Sequence, residues 1–170
     1  APSQQLSAER DVAIAGGKIV QVSANIPKNL AREVVDAGGK IVTPGVINVH
    51  SHPYHYGITT SADPEEIGVP VGVTTLVDAG SAGASTFMGF RKYVIERSRT
   101  RIYALLNIST IGLVVTNELY LDPAMINPAA AIKMIEQNRD LILGIKVRIN
   151  GDERELPHDI DALKKAREAA

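Results

Sequence analysis

The sequence predicts an α/β fold: a small antiparallel β unit over residues 1–42, then four strand–helix units of a parallel barrel over 43–170. Three observations predict it. Apolar runs flank glycine pairs in the first 42 residues, and strand-like and helix-like patterns alternate four times after Thr43. The strands also carry one apolar face and one face whose polar residues gather near the C-terminal end.

The β unit comes first. Residues 12–15 and 19–22 are apolar-rich and flank Gly16-Gly17, the two-glycine turn of a tight hairpin. Val34-Val35 leads to a second pair, Gly38-Gly39, and then to Ile41-Val42, so further antiparallel strands are expected there. A unit of this size is too small to bury a core alone.

The strand–helix units follow in order. Pro44-Gly45 precedes a strand over 46–50, and Asp63 with Pro64 reads as an N-cap and first helical residue. Residues 73–78 form the second strand. Phe87, Phe90 and Val94 then fall on one face of a helix that ends near Ser98. The third strand spans 102–108, and Asn127-Pro128 opens a helix through Ala131, Ile132 and Ile135. The fourth strand spans 141–149, and Asp159 is expected to cap a last helix over 160–170 with Leu163 and Ala166 beneath it. Four such units in succession predict a parallel sheet with right-handed crossovers.

Alternation splits each strand into two faces. Ile47 and Val49 oppose Asn48, His50 and His52; Ile102, Ala104, Leu106 and Ile108 oppose Tyr103, Leu105, Asn107 and Ser109. Leu141, Leu143, Ile145 and Val147 oppose Ile142, Gly144, Lys146 and Arg148. A doubly wound sheet is covered by helices on both sides and is apolar on both faces. A (β/α)8 TIM barrel is covered only outside, and its chemistry projects from the C-terminal strand ends. The pattern favours the barrel, with His50, His52, Asp78, Asn107, Ser109, Lys146 and Arg148 at its mouth. A whole barrel takes about 250 residues, so the expectation is its N-terminal half, in a chain truncated at both ends.

Composition excludes several function classes. With 18 Lys+Arg against 19 Asp+Glu, a nucleic-acid footprint has no support, and 4% aromatics without Trp argue against a base-stacking surface. No apolar run approaches the ~20 residues of a membrane span. The absence of cysteine removes disulfides, thiolate metal sites and a Cys nucleophile. Ala1-Pro2-Ser3-Gln4-Gln5 lacks the charged and apolar regions of a signal peptide, so the expected location is the cytoplasm. Residues 91–101 carry five basic side chains and one acidic one. They read as a solvated helix face, because an anion site needs convergent geometry.

Two features carry chemistry. His50 and His52, at i and i+2 on a strand, point the same way, so both imidazoles can reach one metal ion. An isolated pair of this kind is a weak signal; its place at the C-terminal end of a strand after Pro44-Gly45 strengthens it. Lys146 stands on an otherwise buried strand, where an amine must be paired, neutralised or chemically used.

Taken together, these segments resemble the amidohydrolase superfamily. Residues 43–52 (TPGVINVHSH) are similar to its first-strand signature, and 72–80 (GVTTLVDAG) to its second strand. Residues 143–148 (LGIKVR) are similar to the lysine strand of its dihydroorotase-like, two-metal branch, and 80–113 most resemble the amidohydrolase/deacetylase subgroup. The resemblance runs through essentially the whole chain, the N-terminal segment included, which it identifies as part of a small β-sandwich domain completed by both termini. It implies a metal-dependent hydrolase that cleaves an amide, cyclic amide or ester. His50 and His52 would bind the more buried of two divalent ions, with zinc first among the candidates. Lys146 would be N-carboxylated, with its CO2-derived carbamate bridging both ions. Tyr54, Asn107 and Arg148 would contact a small-molecule substrate. Asn48 stands where the family often has Asp.

The same resemblance implies two further His on later strands and a proton-shuttling Asp on the eighth, all beyond Ala170. The expectation is therefore that this chain alone is inactive. His55 is expected in the loop after the first strand and His158 on the surface, and neither replaces those ligands. The expected partners are a second copy of the chain or the remainder of the barrel, with no nucleic acid and no membrane. The alternatives are a non-catalytic, dihydropyrimidinase-like scaffold or a half-barrel that pairs with itself. Retention of His50, His52 and Lys146 argues against the scaffold, since nothing structural requires all three.

Overall fold

The computed structural model describes residues 7–114, 122–149 and 156–170. The chain divides into two compact units, Ala1–Val42 and Thr43–Ala170.

In the first unit, β1 (Asp11–Ala15) and β2 (Lys18–Ser23) form an antiparallel hairpin with an irregularity between Ala13 and Ile14. Gly16 and Gly17 have φ of 58° and 73°. A two-residue turn that matches the strand twist needs the left-handed region at both positions, and only glycine enters it without cost. Lys28–Leu30 makes one 3-10 turn. The further strands expected around Val34-Val35 and Ile41-Val42 do not form. Val35 and Ile41 are 79% and 91% exposed. Without a ladder partner among the described residues, the backbone of this segment has nothing to pair with in a sheet.

The second unit alternates strand and helix throughout. β3 (Val46–Ser51) leads to α1 (Pro64–Ile67), β4 (Val73–Asp78) to α2 (Phe87–Tyr93), β5 (Arg101–Asn107) to α3 (Pro128–Gln137), and β6 (Ile142–Lys146) to α4 (Leu156–Ala169). The four strands are parallel and lie in the order β3-β4-β5-β6. Each strand adds beside its sequence neighbour. That is the progression of a barrel; a doubly wound sheet reverses its strand order at a switch point. The sheet is thus part of a TIM-type barrel. No helix among the described residues is long and apolar enough to cross a membrane.

The helix starts follow the expected local chemistry. Asp63 accepts the Glu65 N–H at 2.8 Å with Pro64 as the first helical residue, and Asn127 accepts the Ala130 N–H at 3.0 Å ahead of Pro128. The core lies between sheet and helices, where Leu76, Ile102, Leu106 and Ile108 meet Phe87, Phe90 and Ala131. Phe87 and Phe90 are fully buried and meet edge to face at 6.3 Å.

Several elements depart from the sequence expectation. β6 stops at Lys146, which pairs with Asn107, the last residue of β5; among the described residues no ladder partner continues beyond it. Ile142, assigned by strict alternation to the face of Lys146, is buried in the core. A register shift between Ala104 and Leu105 breaks the alternation. α4 begins before Asp159, so Asp159 lies buried inside the helix rather than capping it. The buried face of α4 is Asp159, Ala162, Ala166 and Ala169, while Leu163 is 44% exposed. α4 packs on α3, whose own buried residue is Ala131 with Ile132 turned outward. Small side chains on both helices let the two backbones approach closely.

The basic segment is occupied by ordinary ion pairs. Arg91 bonds Glu96 at 3.0 Å and Asp140 at 3.1 Å, Lys92 bonds Glu96 at 2.8 Å, and Arg99 bonds Glu65 at 2.6 Å. Arg97 lies over the Tyr93 ring.

Candidate functional site

The end of β3 is pinned by its backbone and by Ser51. The Ser51 hydroxyl donates to the Val77 carbonyl at 3.1 Å, and the Ser51 carbonyl accepts the Ala79 N–H at 2.8 Å. One residue on, the His52 carbonyl accepts the Ala62 N–H at 3.1 Å. Asn48 Oδ1 accepts the N–H of His50 at 3.1 Å, so this residue, where the resembling family often has Asp, shapes the strand end locally. These bonds present His50 and His52 side by side. Their rings are 5.6 Å apart, centre to centre, and nearly perpendicular.

His52 is half-buried and His50 exposed. Burial pushes the His52 pKa below its ordinary 6.5, and the positive charges of His50, Lys146 and Arg148 push in the same direction. His50, Lys146 and Arg148 thus act on the His52 ring and favour its neutral form, the form in which an imidazole can bind a metal. Nδ1 of His52 lies 2.9 Å from the Ser81 hydroxyl, which leaves Nε2 for a ligand.

Lys146 closes the other side. Its carbonyl accepts the Ile108 N–H at 3.0 Å, and its aliphatic stem lies against Gly80. A Cβ built on Gly80 would sit 2.5 Å from Lys146 Cγ. Glycine at this position therefore leaves the room the lysine stem takes.

The other expected residues make internal contacts around this centre. Asn107 is buried; its amide donates to the Gly80 carbonyl at 2.9 Å and its Oδ1 accepts the Ser109 N–H at 3.0 Å. Tyr54 stacks on Phe90 at 4.7 Å and donates to the Thr86 carbonyl at 3.4 Å; burial raises the pKa of its phenol. Asp78 is completely buried. Its Oδ1 accepts the N–H groups of Gly80 at 3.0 Å and Ser81 at 2.7 Å, while Oδ2 has no hydrogen-bond partner among the described residues. Burial lifts the Asp78 pKa from 3.8 to about 7, against the opposing hydrogen bonds from Ser81 and Gly80. His55 lies beside Tyr56 in the loop after β3, with ring centres 3.8 Å apart and the rings tilted at 45°, and His158 is exposed on α4. Ser81 escaped the sequence reading. Its signal is the Asp-x-x-Ser spacing after a strand, an Asx-type turn that aims the serine back over the strand end.

The donor set suits a metal in part. Two imidazoles converge, but among the described residues no third His, Cys, Asp or Glu joins them in a cluster. A separate cleft of about 540 Å³ is lined by Val69, Thr75, Ser98, Thr100, Ile102 and Leu141. These residues lie at or near the N-terminal ends of β4, β5 and β6, whereas the His pair and Lys146 lie at the opposite ends of their strands.

No protein-family model matches the chain. It is 42% identical over 141 residues to a deacetylase from Agrobacterium fabrum, covering 81% of this chain and 35% of that protein. It is 44% identical over 128 residues to a deacetylase from Brucella anthropi, covering 74% of this chain and 31% of that protein. The crystal structure of a dihydroorotase superposes with a TM-score of 0.82 at 36% identity, over 96% of this chain and 45% of that one. The chain thus spans about a third of the length of these curated relatives and under half of the solved structure. Sequence kinship with the deacetylases and the shared four-strand architecture agree with the motifs at the ends of β3, β4 and β6, and the chain belongs to the amidohydrolase superfamily.

Proposed function

We propose that the protein containing this chain is a metal-dependent hydrolase that cleaves an amide, cyclic amide or ester in a small molecule. In this reading His50 and His52 are ligands of a divalent ion, zinc first among the candidates. Lys146, as its carbamate, is a ligand shared between two such ions. Residues 1–42 belong to a small β domain and 43–170 to the first four units of the hydrolase barrel. The observation that carries the reading is the convergence of the His50 and His52 rings at the end of β3, with the charges of Lys146 and Arg148 acting on His52. Its kinship with deacetylases and a dihydroorotase supports the bond type.

The chain's own residues have defined tasks. Divalent ions of this kind lower the pKa of a coordinated water and polarise a substrate carbonyl. His52 offers Nε2 because Ser81 occupies Nδ1. Gly80 makes room for the stem of Lys146, and the β5–β6 pairing holds that residue at the strand end. A carbamate on Lys146 would replace a cation with an anion among His50, His52 and Arg148, easing the positive charge collected there. Arg148 brings a fixed positive charge to the same mouth and is the residue we assign to an anionic part of the substrate.

The test is metal content and turnover of N-acyl and cyclic-amide substrates by the protein that contains these residues. His50→Ala should lose one ion and the activity. Lys146→Ala should lose activity that short carboxylic acids partly restore. Unchanged metal content and turnover in His50→Ala would sink the assignment.

A further inference from the structure

One cation of the basic run at residues 91–101 is left over. Arg91, Lys92 and Arg99 form ion pairs and Arg97 lies over Tyr93, but among the described residues Arg101 has no ion-pair partner. Arg101 lines the cleft of about 540 Å³ at the N-terminal ends of β4, β5 and β6. A cleft of that size holds a small ligand.

The lining is one-sided in charge. Arg99 and Arg101 bring guanidinium groups and Thr74 and Thr75 bring hydroxyls, while among the described residues no Asp, Glu or His lines the cleft. Arg99 shares its charge with Glu65, 2.6 Å away, so Arg101 carries the uncompensated positive charge. Thr75 pairs with Arg101 in the parallel ladder, so both side chains leave the sheet on one face. The loop that carries the two arginines is held in place. The Ser98 hydroxyl donates to Glu65 at 2.9 Å, and the buried Thr100 hydroxyl accepts the Val69 N–H at 3.0 Å. Val69, Ile95 and Leu141 form an apolar wall. β4 and β5 each have both neighbours in the sheet, so this end of the cleft is built from the chain's own strands.

We infer that this cleft binds a small monocarboxylate with a short apolar body, its carboxylate held by the Arg101 guanidinium and the Thr75 hydroxyl. The planar fork of N–H donors on an arginine matches the two oxygens of a carboxylate. A single uncompensated charge suits a monoanion, whereas a phosphate dianion would leave excess negative charge in the cleft. The apolar wall receives the carbon chain. The cleft lies at the opposite strand ends from His50, His52 and Lys146, so the site is separate from the proposed metal centre and does not rest on it.

The test uses the protein that contains this chain, with hexanoate as the probe and hexanol as its uncharged counterpart. Proton–nitrogen NMR of the arginine side chains reports binding at the cleft itself. The Arg101 Nε–H resonance, assigned by its loss in Arg101→Gln, should shift saturably with hexanoate and not with hexanol. The Arg99 Nε–H resonance, in the same cleft, follows the titration in the variants. Arg101→Gln should weaken hexanoate by about 10–100-fold, the scale of losing a hydrogen bond to a charged group. Thr75→Val keeps the shape of the side chain and should weaken it by about 3–10-fold; this variant carries the test if Arg101→Gln fails to fold. Arg139→Gln removes an exposed arginine outside the cleft and should bind as the parent does. His50→Ala, which tests the metal centre, should leave the titration unchanged. The absence of a saturable shift, an equal response to hexanol, or parent-like affinity in both Arg101→Gln and Thr75→Val would overturn the inference and leave the reading of the metal centre untouched.

Discussion

The side-chain amide of Asn107 donates to the carbonyl of Gly80 at 2.9 Å, across 27 residues of sequence. Its Oδ1 takes the Ser109 N–H at 3.0 Å, so one buried side chain joins the turn after β4 to the end of β5. Asn107→Ala strands a carbonyl and an N–H away from water. Each is expected to cost about 1–3 kcal/mol, read as a lower urea midpoint. A midpoint equal to the parent's would show that these bonds contribute nothing to stability.

Gly80 links that turn to the candidate centre. Its φ is 89°, in the left-handed region, and its missing side chain gives Lys146 its place. Gly80→Ala should destabilise the fold by about 1–3 kcal/mol through backbone strain. It should also lower turnover by more than the loss of folded protein accounts for, because the lysine stem must move. Turnover that tracks the folded fraction alone would remove the second half of this prediction.

Asp78 sets a pH dependence with an unusual sign. Its pKa rises on folding from 3.8 to about 7, chiefly through burial. Between those values the folded chain holds a proton that the unfolded chain has released. Linkage then makes stability fall as pH rises through that window and level off above it. Asp78→Asn removes this contribution. The stability difference between variant and parent should therefore shift in favour of Asn as pH climbs from 3.8 past 7. A difference that does not vary with pH would contradict a raised folded-state pKa.

Phe90 is fully buried and meets both Phe87 and Tyr54. Phe90→Ala should cost about 3–5 kcal/mol from lost burial and the cavity left behind, with Phe90→Leu costing less. Because Tyr54 stacks on this ring in the loop after β3, the alanine variant should also expose that loop to faster hydrogen exchange. Unchanged exchange around Tyr54 would mean that the stack does not hold the loop.

Much of the fold was legible because it is written locally. Asp63-Pro64 and Asn127-Pro128 set helix starts through side-chain-to-backbone bonds that span only two or three residues. Gly16-Gly17 set the hairpin through backbone freedom, and the strand–helix rhythm set the sheet order. What failed depended on distant partners. Ile41-Val42 had the residues of a strand but no neighbour to pair with among the described residues, and Leu163, expected beneath α4 with Ala166, stays exposed while Ala162, Ala166 and Ala169 are buried. The site divided in the same way. His50 and His52 were legible because alternation puts i and i+2 on one side of a strand. The internal bonds of Asn107 and Tyr54 were not, since their partners come from turns and helices whose course no short pattern records.

The sequence by itself determined the barrel order of the four strands, the helix caps at Asp63 and Asn127, and the placing of His50, His52 and Lys146 near the strand ends. All of these follow from backbone periodicity and hydrogen bonds between close neighbours. Only the tertiary structure decided that Ser81 sits at Nδ1 of His52, that Asp78 lies beneath it, and that a register shift turns Ile142 into the core. The reason is that a partner tens of residues away is chosen by strand register and by where a turn brings its side chain back, and both are set only when the whole sheet packs.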